Sequence, residues 1–161
     1  MDSFGKIFRI TTYGSSHGPE IGVRIEGCPA GLEISLDEIQ RELERRKPGQ
    51  SQVTSQRREE DKVEILSGII DGRTIGKTIN LRILNKDVDL SDYEKLKYRP
   101  RPGHADFTYQ IKYKHRDHRG GGRSSARETA ARVATGAIAK KLLKKYGVEI
   151  IAYVKEIAGI K

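Results

Sequence analysis

The chain has 161 residues, which is enough for one ordinary domain and short for two. Its 31 Lys and Arg outnumber its 22 Asp and Glu, so the formal net charge is +9 and anionic partners are favoured. The single cysteine, Cys28, excludes an internal disulfide and a site of several thiolates, and no apolar run approaches the length of a membrane span. We therefore expect a soluble, cytoplasmic protein.

The positive charge is concentrated in two stretches of the chain. Residues 95–132 carry eleven Lys and Arg against three acidic residues, and they include three of the four histidines. A second, arginine-rich group lies between Arg41 and Arg58. The planar guanidinium of arginine suits bidentate contacts to phosphate and carboxylate. A solvated surface would explain any single lysine, but clusters within Gly- and Pro-rich loops favour an anion-binding site.

The first 50 residues predict two strands and a helix. Residues 7–12 are rich in β-branched side chains, which favour a strand. Apolar residues then alternate at 21–25, as in a strand with one buried face. Ser35 and Glu38 form a capping box that begins a helix, and Pro48–Gly49 ends it.

Two more strands are predicted in the next segment. Residues 63–70 are β-prone, and apolar residues alternate at 79–83. Asp71–Gly72 between them is a turn signal, so we expect the two strands to pair antiparallel.

The remainder of the chain predicts a long loop, a helix and a last strand. Residues 86–122 show no regular periodicity, and compact domains carry so long a loop mostly for a functional reason. A second capping box at Ser125 and Glu128 begins a helix with an alanine-rich stripe, and Gly147 ends it. Residues 149–154 begin another strand. This order predicts an α+β fold, with an antiparallel sheet of four or more strands packed on one face by two helices.

Three loop motifs carry candidate chemistry. Residues 14–18 (GSSHG) follow the first strand, and their glycines allow a sharp turn that presents Ser16 and His17. A histidine at this place can exchange a proton near neutral pH. Residues 101–106 (RPGHAD) present His104 beside an arginine and a carboxylate. The alternative for both motifs is an ordinary exposed turn.

The third motif is residues 119–128 (RGGGRSSARE), in which three glycines lead into the predicted helix. Free N–H groups and the positive end of the helix dipole favour an anion there. Arg123 and Arg127 add charge, whereas a flexible hinge, the alternative, gains nothing from two arginines. His115 and His118 lack Cys or acidic partners at ligand spacing, so no metal site is predicted.

Several motifs in one order resemble the chorismate synthase family, and the resemblance runs through nearly the whole chain. A set of motifs in order is a specific signal, although each alone is weak. The motifs are residues 3–5 (SFG), 14–18 (GSSHG), 45–51 (RRKPGQS), 56–59 (QRRE), 65–68 (ILSG), 101–106 (RPGHAD) and 120–129 (GGGRSSARET).

The resemblance implies a carbon–oxygen lyase of aromatic amino acid biosynthesis. The family converts 5-enolpyruvylshikimate 3-phosphate to chorismate by a 1,4 elimination of phosphate, with loss of a ring proton. It needs reduced FMN, which lends and recovers electron density without net redox change, and NADPH is a possible reductant. It also implies a homotetramer with a small phosphorylated substrate and with neither nucleic acid nor membrane as partner.

The resemblance assigns roles to individual residues. His17 matches the family histidine proposed to protonate the departing phosphate, and His104 matches the one proposed to protonate the reduced flavin. Cofactor contacts are implied at Arg46, Arg101, Arg123, Ser124 and Ser125. Substrate contacts are implied at Ser16, Arg57, Arg58 and Arg127.

The chain also departs from the family pattern. Ser15 stands where Glu is more usual, and Gln52 stands where many relatives have an arginine, which weakens the implied contact to a pyridine nucleotide. Family members are about twice as long. We therefore expect residues 1–161 to form a single domain, the N-terminal half of a β-α-β sandwich, with 86–122 as its active-site loop region. We expect such a half to be weak or inactive alone.

Two other classes of function remain open from the sequence. The charge and the Arg/Gly loop also suit a nucleic-acid-binding module, although stacking aromatics and a reading helix are lacking. A structural half-protein without catalysis is the other alternative.

Overall fold

The computed structural model describes residues 2–47, 59–86 and 91–160. Its strands are β1 (Ser3–Phe4), β2 (Arg9–Gly14), β3 (Glu20–Glu26), β4 (Val63–Ser67), β5 (Ile69–Ile70), β6 (Arg73–Thr74) and β7 (Ile79–Leu84). Its helices are α1 (Leu36–Arg46), α2 (Ser91–Glu94), α3 (Asp106–Tyr113) and α4 (Thr129–Lys144), with 3₁₀ turns at Gly122–Ser124 and Ala126–Glu128.

Five of the strands form one antiparallel sheet in the order β1-β2-β3-β7-β4. Helices α1 and α4 pack against each other, α4 also packs on β3 and β7, and α1 packs on β4. The predicted α+β fold, with an antiparallel sheet and two helices packed on it, is confirmed. The predicted antiparallel pairing of the strands at 63–70 and 79–83 is confirmed for residues 63–67, because β4 pairs with β7. Residues 69–70 form the separate strand β5, which pairs with β6 instead.

The core follows the two-residue period of the central strands. Alternate apolar residues of β3 and β7 are fully or almost fully buried, and they share the core with Ile39 and Leu43 of α1: Ile21, Val23, Ile25, Ile79, Leu81 and Ile83. Helix α4 contributes mostly alanines, such as Ala130 and Ala134, together with Ile138. Small side chains let α4 lie close to both the sheet and α1, and the buried apolar area stabilises the fold.

Local signals set the start of α1 and the turn of a small hairpin. The Ser35 hydroxyl accepts a hydrogen bond from the Glu38 amide (3.2 Å), and the Glu38 carboxylate accepts one from the Ser35 amide (2.9 Å). This confirms the first capping box. Asp71 and Gly72 both have positive φ and connect β5 to β6, as the two central residues of a tight hairpin turn do. Pro48–Gly49, the expected end of α1, lies outside the described residues.

The second predicted capping box is wrong. Ser125 accepts from the amide of Arg127 (3.2 Å), but the Glu128 carboxylate accepts from Arg123 instead of turning back to Ser125. A 3₁₀ turn therefore fills residues 126–128, and α4 begins only at Thr129. The charge of Arg123 competes successfully for the carboxylate that a local cap would use.

The strand predicted at 149–154 is also wrong, because this segment has no regular secondary structure. Its apolar side chains, among them Ile151 and Tyr153, are exposed. Residues with high β-propensity form a strand only when another strand offers them hydrogen bonds, and no described strand pairs with this segment. The stretch 86–122, predicted as mostly irregular, contains α2 and α3. No helix among the described residues is both long and apolar enough to cross a membrane.

Candidate active site

The turn of residues 14–18, here called the His17 turn, joins β2 to β3 at one end of the sheet. Gly14 has φ of +83°, and a Cβ there would lie 2.1 Å from the carbonyl oxygen of Glu20, so only glycine fits. Hydrogen bonds from the Ser15 amide to Glu20 (3.3 Å) and from the Gly18 amide to Ser15 (3.2 Å) close the turn.

Within the turn, Ser16 and His17 are in contact with each other. Ser16 is fully buried, and its Oγ lies 3.0 Å from Nδ1 of His17. The ring of Tyr93 meets the His17 ring edge-on, with 4.9 Å between centroids. Gly120 lies so close that a Cβ there would be 2.4 Å from Nδ1 of His17. The imidazole is therefore confined by a hydroxyl, an aromatic ring and a glycine backbone.

Residues 120–122, here called the glycine loop, border a cavity of about 200 Å³, here called the glycine-loop cavity. Its lining includes His104 and Arg101 from one loop and Gly120, Gly121 and Ser124 from the other. His104 is exposed, and its Nδ1 lies 3.0 Å from the carbonyl oxygen of Pro102. The Ser124 hydroxyl donates to the Tyr109 hydroxyl (2.6 Å). Both candidate histidines thus adjoin residues 120–121, one in contact with Gly120 and the other across the cavity.

Two arginines share one carboxylate at this cavity. Arg101 donates twice to Asp106 (2.9 Å each), and Arg116 donates to it once (3.0 Å). Arg101 also donates to the Gly120 carbonyl (3.1 Å), which holds the glycine loop in place. Asp117 also lines the cavity, and Arg119 donates to its carboxylate (2.9 Å). With that partner counted, three guanidinium groups stand against two carboxylates, and the net positive charge favours an anion here.

The shared carboxylate predicts a pH dependence of stability. The hydrogen bonds from Arg101 outweigh burial and lower the pKa of Asp106 from 3.8 to about 2. Because the folded-state pKa is depressed, this carboxylate stabilises the fold above pH 3.8 and loses that contribution as the pH falls toward about 2. Acid titration followed by circular dichroism should show that Asp106→Asn is less stable than the unsubstituted chain at neutral pH. The difference should shrink through this pH window, and a constant difference would contradict the assignment.

Arg123 holds the end of β2 instead of facing the glycine-loop cavity. It donates to the carbonyl oxygens of Gly14 and Thr12 (3.0 Å each) and to the carboxylates of Glu128 (2.6 Å) and Asp2 (2.9 Å). Glu128 is buried, and its burial raises its pKa against the lowering effect of Arg123. Asp2 is 60% exposed, so it is the partner of Arg123 that a ligand could most readily replace.

Arg127 and Arg46 lie in a buried network of charges. Arg127 is 4% exposed and forms an ion pair with Asp61, and Glu59 lies 3.6 Å from it. Arg46 donates to the other oxygen of Asp61 (2.7 Å). The two arginines therefore meet on one carboxylate, and Arg127 continues to Asn85, which its Nε contacts at 2.9 Å.

The predicted site residues thus fall into linked groups around the His17 turn. Five of them lie at or beside the glycine loop: Ser16, His17, Arg101, His104 and Ser124. Arg123 contacts the start of the turn, and Arg127 and Arg46 connect to it through other side chains, whereas Ser125 caps the 3₁₀ turn before α4. Arg57 and Arg58 lie outside the described residues.

Three residues that contact the turn or its supporting arginines lie outside the sequence motifs: Asn85, Tyr93 and Asp61. A polar residue directly after a buried strand, as Asn85 is after β7, was the one signal that could have indicated a role. Within the described ranges no group of His, Cys, Asp and Glu could hold a metal ion.

Comparison with known proteins places this arrangement in a family. The family model for chorismate synthase matches residues 8–161. The chain is 56% identical over 160 residues to the chorismate synthase of Methanococcoides burtonii and 52% identical to that of Chloroflexus aurantiacus, covering 99% of this chain and 44% of each relative. It thus spans less than half the length of these relatives.

A solved structure gives the same result for the fold. The chain resembles a crystal structure of chorismate synthase with a TM-score of 0.67 and 40% sequence identity, over 88% of this chain and 35% of the other. The matching motifs, the shared fold and this identity lead to one conclusion: the chain belongs to the chorismate synthase family.

Proposed function

We propose that the protein supplies the N-terminal part of an active site that eliminates phosphate from 5-enolpyruvylshikimate 3-phosphate to give chorismate. A C–O bond to phosphate breaks, a ring C–H loses its proton, and a new double bond forms. The observation that carries the proposal is the placement of His17 and His104 beside one glycine loop, next to a cavity with surplus positive charge.

His17 is proposed to donate a proton to the departing phosphate. Its contact with Ser16 through Nδ1 and with the Tyr93 edge limits how the ring can move, so Nε2 is presented in one direction. Arg101 supplies fixed positive charge where negative charge develops on the leaving group. His104 is proposed to exchange a proton with the cofactor at the other side of the loop.

Reduced FMN is the proposed cofactor, and when bound it supplies electron density for the elimination. Ligand pockets usually measure roughly 300–1,000 Å³, so the 200 Å³ glycine-loop cavity suits a phosphate or the edge of a ring rather than a whole flavin. Arg101, His104 and Ser124 would hold that part. Arg123 could take a second anionic group in the place of the Asp2 carboxylate. Arg46, Arg57, Arg58, Arg127 and Ser125 remain proposed contacts.

The relatives are more than twice as long, and the remaining enclosure is proposed to correspond to the part of them that this chain does not cover. A homotetramer, NADPH as reductant and a cytoplasmic location are proposed on the basis of the family alone. Nothing in the fold or the comparisons favours nucleic-acid binding or a purely structural role.

The test is anaerobic turnover with reduced FMN by a complete enzyme. This chain is joined to the part of the Methanococcoides burtonii relative that it does not match, and the product is here called the joined enzyme. Phosphate release is measured, and the intact relative is the matched control. We expect release that depends on reduced FMN from the joined enzyme, and weak or no release from this chain alone. A folded joined enzyme without turnover, where the control is active, would contradict the proposal.

A further inference from the structure

We propose that Asn85 is a positioning residue that sets the orientation of the His17 turn. Asn85 directly follows the last residue of β7, which fixes its position. Its backbone amide donates a hydrogen bond to the Pro19 carbonyl oxygen (3.0 Å). This bond continues the ladder between β7 and β3. The side chain is thereby brought to the inside of the turn that carries His17.

The side-chain amide connects both ends of the turn. Its Nδ2 donates to the carbonyl oxygens of Ser15 (2.9 Å) and Gly18 (2.7 Å), which lie on either side of His17 in the chain. Its Oδ1 accepts from Nε of Arg127 (2.9 Å). Arginine can only donate and carbonyls can only accept, so one orientation of the amide satisfies all three partners.

The amide is itself held from behind. Arg127 is 4% exposed and is fixed by its ion pair with Asp61, which Arg46 also contacts. A hydrogen bond between buried or half-buried groups has little freedom when one partner belongs to such a network. The position of the turn is therefore coupled, through Asn85, to the buried ion pair of Arg127 and Asp61.

Few other side chains can take this place. Aspartate has the same shape and can still accept from Arg127, but it offers no donors and would set a carboxylate against two carbonyl oxygens. Glutamine has the same groups on an arm one methylene longer. Asn85→Asp thus removes the two hydrogen bonds donated to the turn and keeps the one accepted from Arg127. Asn85→Gln keeps both the donor and the acceptor but changes their positions.

The expected consequence is a misplaced imidazole, and its catalytic part depends on the proposed function. A displacement of about 1 Å at a reacting group can cost about 10²-fold in rate. We expect Asn85→Asp to lower kcat of the joined enzyme by about 10- to 100-fold with less than about a threefold change in KM. Asn85→Gln should lie between this variant and the unsubstituted enzyme.

The matched control is Asn80→Asp, five residues earlier. Asn80 lies within β7, the strand that Asn85 directly follows, and it donates one exposed hydrogen bond, to Ser67 (2.6 Å). The second readout is the NMR signal of the His17 ring in the 161-residue chain, with the exposed His115 as internal reference. We expect Asn85→Asp to move the His17 signal and Asn80→Asp to leave both the signal and kcat unchanged.

The outcomes separate this inference from the proposed function. If Asn85→Asp leaves the His17 signal and kcat unchanged, or if Asn80→Asp has the same effects, the positioning role is wrong. If Asn85→Asp does not fold, Asn85→Gln decides by the same two readouts. If the joined enzyme has no turnover, the proposed function is wrong, and the NMR comparison still decides whether Asn85 orients the turn.

Discussion

Replacing His17 with alanine is expected to lower the turnover number of the joined enzyme by about 10²- to 10⁴-fold, the usual contribution of a positioned proton donor. The ring is held by Ser16, Tyr93 and Gly120, so a solvent molecule cannot take its place with the same orientation. Because the interaction matters most as the phosphate departs, KM should change much less than kcat. Anaerobic phosphate release with reduced FMN is the measurement.

His115→Ala is the control for this prediction, because His115 is exposed and is not among the residues that line the glycine-loop cavity. His104→Ala should also reduce turnover, through the cofactor. If His17→Ala and His104→Ala both keep full turnover in a folded enzyme, the catalytic assignment is wrong.

Asp61→Ala should lower the free energy of unfolding by about 3–5 kcal/mol, the cost of breaking a buried ion pair by removing one partner. Asp61 is 1% exposed and is the carboxylate on which Arg127 and Arg46 converge. Its removal leaves Arg127 buried, with Glu59 at 3.6 Å as its negative neighbour in the described part of the chain. Urea unfolding of the 161-residue chain, followed by circular dichroism, measures the change.

Glu60→Ala is the matched control, since Glu60 is the adjacent residue in the chain and pairs with Lys62 and Lys86 at the surface. Exposed pairs of this kind contribute little to stability, because water and salt screen the charges. An Asp61→Ala variant that is no less stable than Glu60→Ala would show that the buried network does not support the fold.

The fold could be predicted where the signal is local. Alternating isoleucines identify β7, the capping box identifies the start of α1, and Asp71–Gly72 identifies a turn, because each depends on neighbours in sequence. Predictions failed where tertiary partners decide. Glu128 turns to Arg123 instead of capping its own helix, and residues 149–154 find no described strand to pair with.

The candidate site divides in the same way. The motifs around His17 and His104 are visible in the sequence, but only the fold brings Gly120 against the His17 ring. The charge count likewise predicts anion binding without showing which arginines are engaged within the protein. Arg123 donates to the Gly14 carbonyl oxygen and Arg127 pairs with the Asp61 carboxylate. Both partners lie far away in the sequence, so only the fold shows these contacts.

Central to the proposed function is that two imidazoles, far apart in sequence, adjoin one anion-binding glycine loop, and a histidine-selective NMR titration tests this most directly. Inorganic phosphate and then FMN are added to the 161-residue chain while the ring signals are followed. We expect the His17 and His104 signals to move together, with one shared dissociation constant for each ligand, while the His115 signal does not move. Movement of only one of the two, two different constants, or no saturable change would contradict it.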